Sequence, residues 1–393
     1  MEYRAFSGLS LSRLGMGAMR LPTVAGQGEK IDERAARELI EAAYEAGVNY
    51  FDTAYRYHAG ESERVTGKVL SQYPRDSFYL ATKFPGHMMT CKDGAYRFTG
   101  MLAAFPARSP AELFEEQLEK CRVDYFDFYL LHNVCEAAWD FYTGEETGVV
   151  DYLLEQKKSG RIRHLGFSAH CRPETLERFV ERYPVFEFAQ IQLNYLDWTL
   201  QDAKRKYEYL ASRAIPVWVM EPCRGGKLAN LDEAAAALLK KIRPDDSLAS
   251  WAFRWVKSLP HAQMILSGMN TLEQVRDNVK TFSGTAPMRS EEREALNAVI
   301  KMFANVVPCT SCRYCCEGCP QSLDIPRLIA LYNEMSAAYT PSLIFTLAAF
   351  AEHELPENCV SCGACAQACP QSIDIPAVLK KLGEVIAARK SNS

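Results

Sequence analysis

A chain of 393 residues, 48% apolar and 24% charged, is long enough for a large core and points to two folded units rather than one. A formal net charge of −4 with no basic run argues against nucleic-acid binding. No positive stretch leads into an apolar core at Met1-Glu2-Tyr3-Arg4, and the longest apolar run of the tail, 343–351, falls far short of the roughly 20 residues a membrane span needs, so a cytoplasmic location without membrane association is expected.

Residues 1–20 read as a short hairpin and a first strand, 13–18, that ends at Met19 and Arg20. Ala36, Leu39, Ile40, Ala43 and Tyr44 then recur with a helical period, which predicts a helix over 31–46 stopped by Gly47. The next strand, 48–52, ends on Asp52. The turn behind it, FDTAYRYHAGESE at 51–63, crowds an acid, two phenols (Tyr55, Tyr57) and an imidazole (His58) before a helix at 62–73. Strand 78–82 ends at Lys83. Residues 84–108 read as a long loop, and loops of that length in a compact domain are usually functional. Ser109 to Glu112 form a capping box with Pro110 at the first helical position. The almost unbroken apolar strand 125–131 ends at His132 and Asn133.

The same rhythm continues: helix 149–158, strand 163–167 ending at Ser168, helix 173–182, strand 187–192, helix 202–213, and strand 215–220 ending at Met220, Glu221 and Pro222. Helices at 232–241 and 247–257 lead to strand 263–267, which ends at Ser267, and a helix at 272–281 follows. Eight apolar strands alternating with helices over about 280 residues predict a parallel (β/α)8 TIM barrel of the α/β class. An open doubly wound sheet is the competing fold, and the lack of G-x-G-x-x-G after the first strand counts against it. The barrel is assigned to 1–288, with a linker at 282–290, and a mainly α-helical tail to 289–393, opening with a helix at 291–304.

The strand ends collect reactive groups. Asp52 and Tyr57 follow the second strand, Lys83 the third and His132 the fourth, and in a barrel these ends converge on one mouth. A lysine beside a phenol favours phenolate, and a carboxylate keeps that lysine charged. The phenol can then donate a proton to a carbonyl oxygen, with the imidazole as a polarising donor. Taken singly, Asp52 reads as a helix cap and Lys83 as a surface charge; only the set of four points to chemistry.

With Tyr57 five residues beyond Asp52, Lys83 closing the next strand and His132 closing DFYLLH, residues 3–282 resemble the aldo-keto reductases. The resemblance implies reduction of a small-molecule carbonyl, or oxidation of an alcohol, with NAD(H) or NADP(H). Tyr57 is then the general acid, Lys83 tunes it, Asp52 supports Lys83, and His132 orients the substrate oxygen. It also implies cofactor contacts from Met19, Arg20, Asp52, Ser168, Gln190, Met220, Pro222, Gly225, Ser267, Gly268, Gln274 and Asn278. Three departures stand out: Ala169 replaces the usual Asn after the serine, Met220 replaces a stacking aromatic, and Gly268 and Gln274 replace the cations that grip a 2′-phosphate. Tyr55 is read as packing, and His58 and His170 take ordinary core or surface roles.

The tail carries a duplicated pattern. Cys309, Cys312, Cys315 and Cys319 before Pro320 form C-x2-C-x2-C-x3-C-P, and Cys359, Cys362, Cys365 and Cys369 before Pro370 repeat it fifty residues later, as CPQSLDIP is repeated by CPQSIDIP. This is the bacterial ferredoxin spacing for 4Fe–4S clusters. By the rule that the fourth cysteine ligates the other cluster, Cys309, Cys312, Cys315 and Cys369 hold one and Cys319, Cys359, Cys362 and Cys365 the other. Two closed zinc sites are the alternative. Cys316 is read as no ligand, and the five cysteines of the barrel as buried apolar residues. Helix-like spacers at 327–337 and 342–354 make the tail resemble the α-helical ferredoxins fused to a subset of aldo-keto reductases. That implies a protein electron donor or acceptor as a further partner. The competing function is a barrel retained as a scaffold, with the ferredoxin as an electron-transfer or interaction module.

Overall fold

The computed structural model describes residues 1–393 except 107, 285, 304–306, 308, 310–312, 338–342, 370–372 and 391–393. Among the described residues, twelve strands are β1 Tyr3–Phe6, β2 Leu9–Ser12, β3 Leu14–Gly17, β4 Tyr50–Asp52, β5 Tyr79–Phe84, β6 Met89–Lys92, β7 Ala95–Phe98, β8 Phe126–Val134, β9 Ile162–Ala169, β10 Ala189–Gln192, β11 Val217–Met220 and β12 Ala262–Ser267. Eight of them close a parallel barrel in the order β3-β4-β5-β8-β9-β10-β11-β12. Alternate side chains divide between two cores, as the pleat of a strand requires. Tyr50, Ala81, Phe128, Leu130, Phe188, Trp218, Met264 and Leu266 fill the barrel. Phe51, Leu80, Tyr129, Ile191, Val219 and Ile265 face the helices outside. The interior is packed tightly enough to require glycine: a Cβ on Gly166 would stand 2.5 Å from the Phe188 ring. The β1–β2 hairpin plugs the bottom, with Phe6 edge-on to Trp218 at 5.0 Å.

The segment 84–108 is not a bare loop. It carries the β6–β7 hairpin, turned at Asp93 and Gly94 with φ of 52° and 73°, the positive pair that a two-residue Asp-Gly turn adopts. Tyr55 stacks on Phe98 of this hairpin at 5.9 Å, which is the packing role expected of it. Strand β8 runs on to Val134, past the expected end at 131, and shifts register against β9 where it passes His132 and Asn133.

Helix Ser290–Met302 packs Leu296 and Val299 on Leu228, Ala235 and Trp251 of the barrel side, and Arg243 pairs with Glu292. In the tail, helices Ile325–Ala337 and Ile375–Lys390 begin at repeat-equivalent positions and pack Leu328 and Ile329 against Leu379, Leu382 and Ile386. The second of these helices has no counterpart in the sequence reading, although the CPQS-DIP repeat carries its signal. The helix expected over 342–354 is shorter, Leu343–Ala348. Arg327 ends that spacer's fold by covering Phe350 at 3.5 Å and pairing with Glu354. Among the described residues, no helix is long and apolar enough to cross a membrane.

Among the described residues, Glu334 and Phe345 bring the tail to the C-terminal mouth of the barrel. Glu334 is buried against Arg224 and accepts a hydrogen bond from Gln201. Phe345 packs on His87 and His170.

Candidate active site

Asp52, Tyr57, Lys83 and His132 meet at that mouth. Tyr57 is presented by a tight turn in which His58, Ala59 and Gly60 take φ of 51°, 53° and 94°. Left-handed backbone at two non-glycine residues costs about 1–2 kcal/mol each, so the surroundings must hold the turn. Thr53 and Ser62 hydroxyls lie 2.8 Å apart, Ser62 donates to the Ala18 carbonyl at 2.9 Å, and the His58 ring faces the Glu29 carbonyl at 3.2 Å. His58 thus has the structural role expected of it.

The Lys83 Nζ lies 2.5 Å from Asp52 Oδ1, 2.8 Å from the Thr53 carbonyl and 3.4 Å from the Tyr57 hydroxyl. These acceptors match the three protons of an ammonium. Burial alone favours loss of the lysine proton; the Asp52 carboxylate and the Tyr57 oxygen outweigh it, and the Lys83 pKa stands above its usual value. Burial also lifts Asp52, with the ammonium opposing. With three acceptors grouped on Lys83, the pair stands as ammonium and carboxylate. Burial raises the Tyr57 hydroxyl above the usual phenol value, and Lys83 pulls against that rise. The His132 ring stands edge-on to Tyr57 at 5.8 Å, and burial, then His87 and Lys83, keep it neutral well below its usual pKa.

Behind Lys83 lies a buried network that sequence reasoning did not identify. Glu63 accepts from Thr82 Oγ1 at 2.6 Å and Gln117 Nε2 at 2.5 Å; Gln117 also reaches the Lys83 carbonyl, and Tyr129 donates to Gln117 Oε1. It fixes β5 where Lys83 leaves the strand. Burial pushes Glu63 up to about 7.

Three neighbouring strands carry amide and hydroxyl groups at one level. Ser168 Oγ accepts the Asn133 N–H at 2.8 Å, and Gln190 stands in register with Ser168. Asn133 Oδ1, Asn133 Nδ2 and Gln190 Oε1 are buried and unpartnered, while Gln190 Nε2 lies 3.7 Å from Met220 Sδ. Such groups demand a ligand with both donors and an acceptor, as a carboxamide has. Asn133 was missed as a site residue; its only sequence signal is an amide directly after His132, and its φ of 58° turns it inward.

On the opposite side of the mouth, Arg20 pairs with Glu221 at 2.7 Å, and the Glu221 carboxylate also takes the Gly225 N–H. Met19 is exposed and Pro222 is buried. A Cβ on Gly268 would press on the Arg20 side chain at 3.3 Å. Asn278 donates to Ser267 Oγ at 2.9 Å, and Gln274 Oε1 accepts from the Asn270 N–H at 2.8 Å. Arg224, between Glu221 and Gly225, turns inward instead of toward the mouth. Fully buried, it lies 2.9 Å from Asp197 and 3.7 Å from Glu334.

His170, expected in a bland role, stacks on Phe345 at the mouth. Among the barrel cysteines, Cys121, Cys135 and Cys171 are buried as expected, whereas Cys91 and Cys223 are only half-buried.

In the tail, Cys319 of the first motif and Cys359, Cys362 and Cys365 of the second line one small pocket, partly open to solvent. Cys309 and Cys315 lie together with Cys316, and Cys369 packs in the same core; Cys312 lies outside the described residues. Arg313 and Gly363, at equivalent places before the short helices that carry Cys315 and Cys365, share positive φ. Among the described residues, no three His, Cys, Asp or Glu side chains are grouped to hold one ion.

The Aldo/keto reductase family model matches residues 13–301, and a 4Fe-4S dicluster domain model matches residues 308–373. The NADH-specific methylglyoxal reductase of Escherichia coli is 25% identical over 323 residues, covering 73% of this chain and 96% of that protein. L-galactose dehydrogenase of Arabidopsis thaliana is 25% identical over 333 residues, covering 78% and 96%. Among solved structures, the holo form of aldo-keto reductase AKR11C1 from Bacillus halodurans superposes with a TM-score of 0.58 at 25% identity, covering 76% of this chain and 96% of that one.

Proposed function

The chain belongs to the aldo/keto reductase family, and from that premise we propose that it reduces a carbonyl compound with a nicotinamide cofactor, Tyr57 supplying the proton. The observation that carries this reading is the Lys83 ammonium, 2.5 Å from Asp52 and 3.4 Å from the Tyr57 hydroxyl.

When bound, a reduced nicotinamide would supply the hydride. Ser168, Gln190 and Asn133 would hold and orient its carboxamide, Asn133 supplying from β8 the amide that Ala169 lacks. Neutral His132 donates to the substrate oxygen. Tyr57 gives that oxygen its proton, and Lys83 stabilises the phenolate left behind while Asp52 keeps Lys83 charged. Arg20, Glu221 and Gly225 would hold the cofactor on the other side of the mouth, with Gly225 permitting close backbone approach. Gly268 and Gln274 bring no cation to a 2′-phosphate, which favours NADH; the NADH-specific relative in E. coli supports the same choice.

The docked tail would hold two 4Fe–4S clusters, one on Cys309, Cys312, Cys315 and Cys369 and the other on Cys319, Cys359, Cys362 and Cys365. Such clusters supply one-electron transfer. The shared pocket of Cys319 with the second motif supports the crossed ligand sets.

Anaerobically purified holoprotein is expected to bind NADH and to oxidise it against aldehydes or ketones, read by loss of the dihydronicotinamide absorbance. Failure to bind either NADH or NADPH would falsify this reading. Cys319→Ala, a change in the first motif, is expected to remove the cluster of the second, taking iron from about eight to about four atoms per chain. Unchanged iron content would reject the crossed assignment.

A further inference from the structure

We propose that the C-terminal domain completes the substrate pocket: Phe345, with His87 and His170, forms the outer wall above the Tyr57 hydroxyl and selects flat, uncharged aromatic carbonyl compounds. The proposal rests on Tyr57 being the proton donor.

An unbroken run of rings leads from the reacting phenol to the tail. Tyr57 and His132 centroids are 5.8 Å apart, His132 and His87 4.6 Å, His87 and Phe345 5.9 Å, and Phe345 and His170 5.7 Å. The interplanar angles are 87°, 68° and 80°, then 22° for the last, stacked pair. All five rings are half-buried, so they border open space instead of being sealed into a core. They come from five separate segments: the turn after β4, the loop after β5, strand β8, the residue after β9, and helix Leu343–Ala348 of the tail. Without that helix, the outer face of the run is open.

The wall offers ring faces and no fixed charge. Burial pushes His87 down to about 4 and His170 to about 3, so both are neutral at pH 7. The nearby cations are already engaged: Lys83 by its three acceptors, Lys206 by the Cys171 carbonyl at 3.3 Å, and Arg20 by Glu221. A carboxylate or phosphate on the substrate would lose water without gaining a counter-ion. An aromatic ring finds edge and face partners at the separations that such pairs prefer.

The test uses the anaerobic, full-length holoprotein and two variants, Phe345→Ala and Phe345→Leu, the second keeping apolar volume without a ring. Iron content and cluster absorbance of each variant establish that the tail is intact. Benzaldehyde is expected to lose about tenfold or more in kcat/KM, mainly through KM, whereas propanal, too short to reach Phe345, changes by less than about twofold. Wild-type protein is expected to prefer 4-methylbenzaldehyde to 4-carboxybenzaldehyde by about tenfold or more. Equal losses for benzaldehyde and propanal, no loss for either, or equal use of the two substituted aldehydes overturns the proposal. Should wild-type protein reduce none of them, the proton-transfer reading fails, and calorimetric titration with 4-methylbenzaldehyde decides this one. Weaker binding by Phe345→Leu than by wild type supports the wall; equal binding rejects it.

Discussion

Replacing Tyr57 by phenylalanine is expected to lower kcat for carbonyl reduction by roughly 10²- to 10⁴-fold, the range contributed by a positioned general acid, with nicotinamide affinity unchanged. The ring is retained, so the edge contact with His132 and the fold of the turn survive; only the hydroxyl 3.4 Å from Lys83 is lost. The pH profile separates this role from a structural one. Reduction needs the protonated phenol, and burial holds the Tyr57 pKa above its ordinary value. The rate is therefore flat through neutral pH and falls only as pH rises through that elevated pKa. Lys83→Met removes the positive charge that opposes the elevation, so the falling limb moves to still higher pH as the maximal rate drops. Stopped-flow single-turnover rates across the alkaline range read both effects. A limb that stays in place in Lys83→Met would show that the lysine does not tune the phenol.

The second large effect concerns the buried charges under the tail. Arg224→Ala is expected to cost about 3–5 kcal/mol of tail docking, the usual result of stranding buried charge. Asp197, which also accepts from Gln192 at 2.8 Å and Asn194 at 2.6 Å, and Glu334 would then share a dry site without their cation. Burial, then Asp197, already push Glu334 up to about 7 against the pull of Arg224. A carboxyl with a raised folded-state pKa binds its proton more tightly when docked. Its contribution is full below the unfolded value near 4.5 and falls as pH rises to about 7, by about 3 kcal/mol in all. Hydrogen exchange of helix Ile325–Ala337 at the two ends of that window measures it. With each amide's intrinsic pH-dependent rate divided out, protection lower at the upper end in wild type, lower still in Arg224→Ala, and independent of pH in Glu334→Gln is the expected pattern. Equal protection of Arg224→Ala and wild type at high pH would mean that the triad does not hold the tail.

Local sequence signals carried the barrel and the four polar groups that meet at its mouth. Strand runs capped by Asp52, Lys83 and His132 alternate with helical periods, and each signal is complete within a dozen residues. The cysteine motifs are equally local, and their duplication also marks the Ile375–Lys390 helix. The hairpin inside 84–108 was legible too, since Asp93-Gly94 is a turn signal; its strands of four residues are too short to assert themselves beside long helices. What local reading could not reach are pairings between distant segments. Arg224 resembles a loop cation until Glu334 comes to rest on it. Asn133 resembles strand overflow until β8 shifts register beside Ser168. Phe345 sits in an apolar run that reads as ordinary core, and only the docking of the tail brings it to His87 and His170. Asp197 and Glu63 likewise acquire their roles from burial, which depends on the whole fold.

The placement of Phe345 on the two histidines makes substrate binding and domain docking one linked equilibrium. Any molecule that gains contact energy from that ring binds the docked state better than the undocked one, and by reciprocity the docked tail raises the affinity for that molecule by the same factor. A substrate that touches Phe345 would then act as a fastener between the two folded units, its occupancy favouring the docked arrangement.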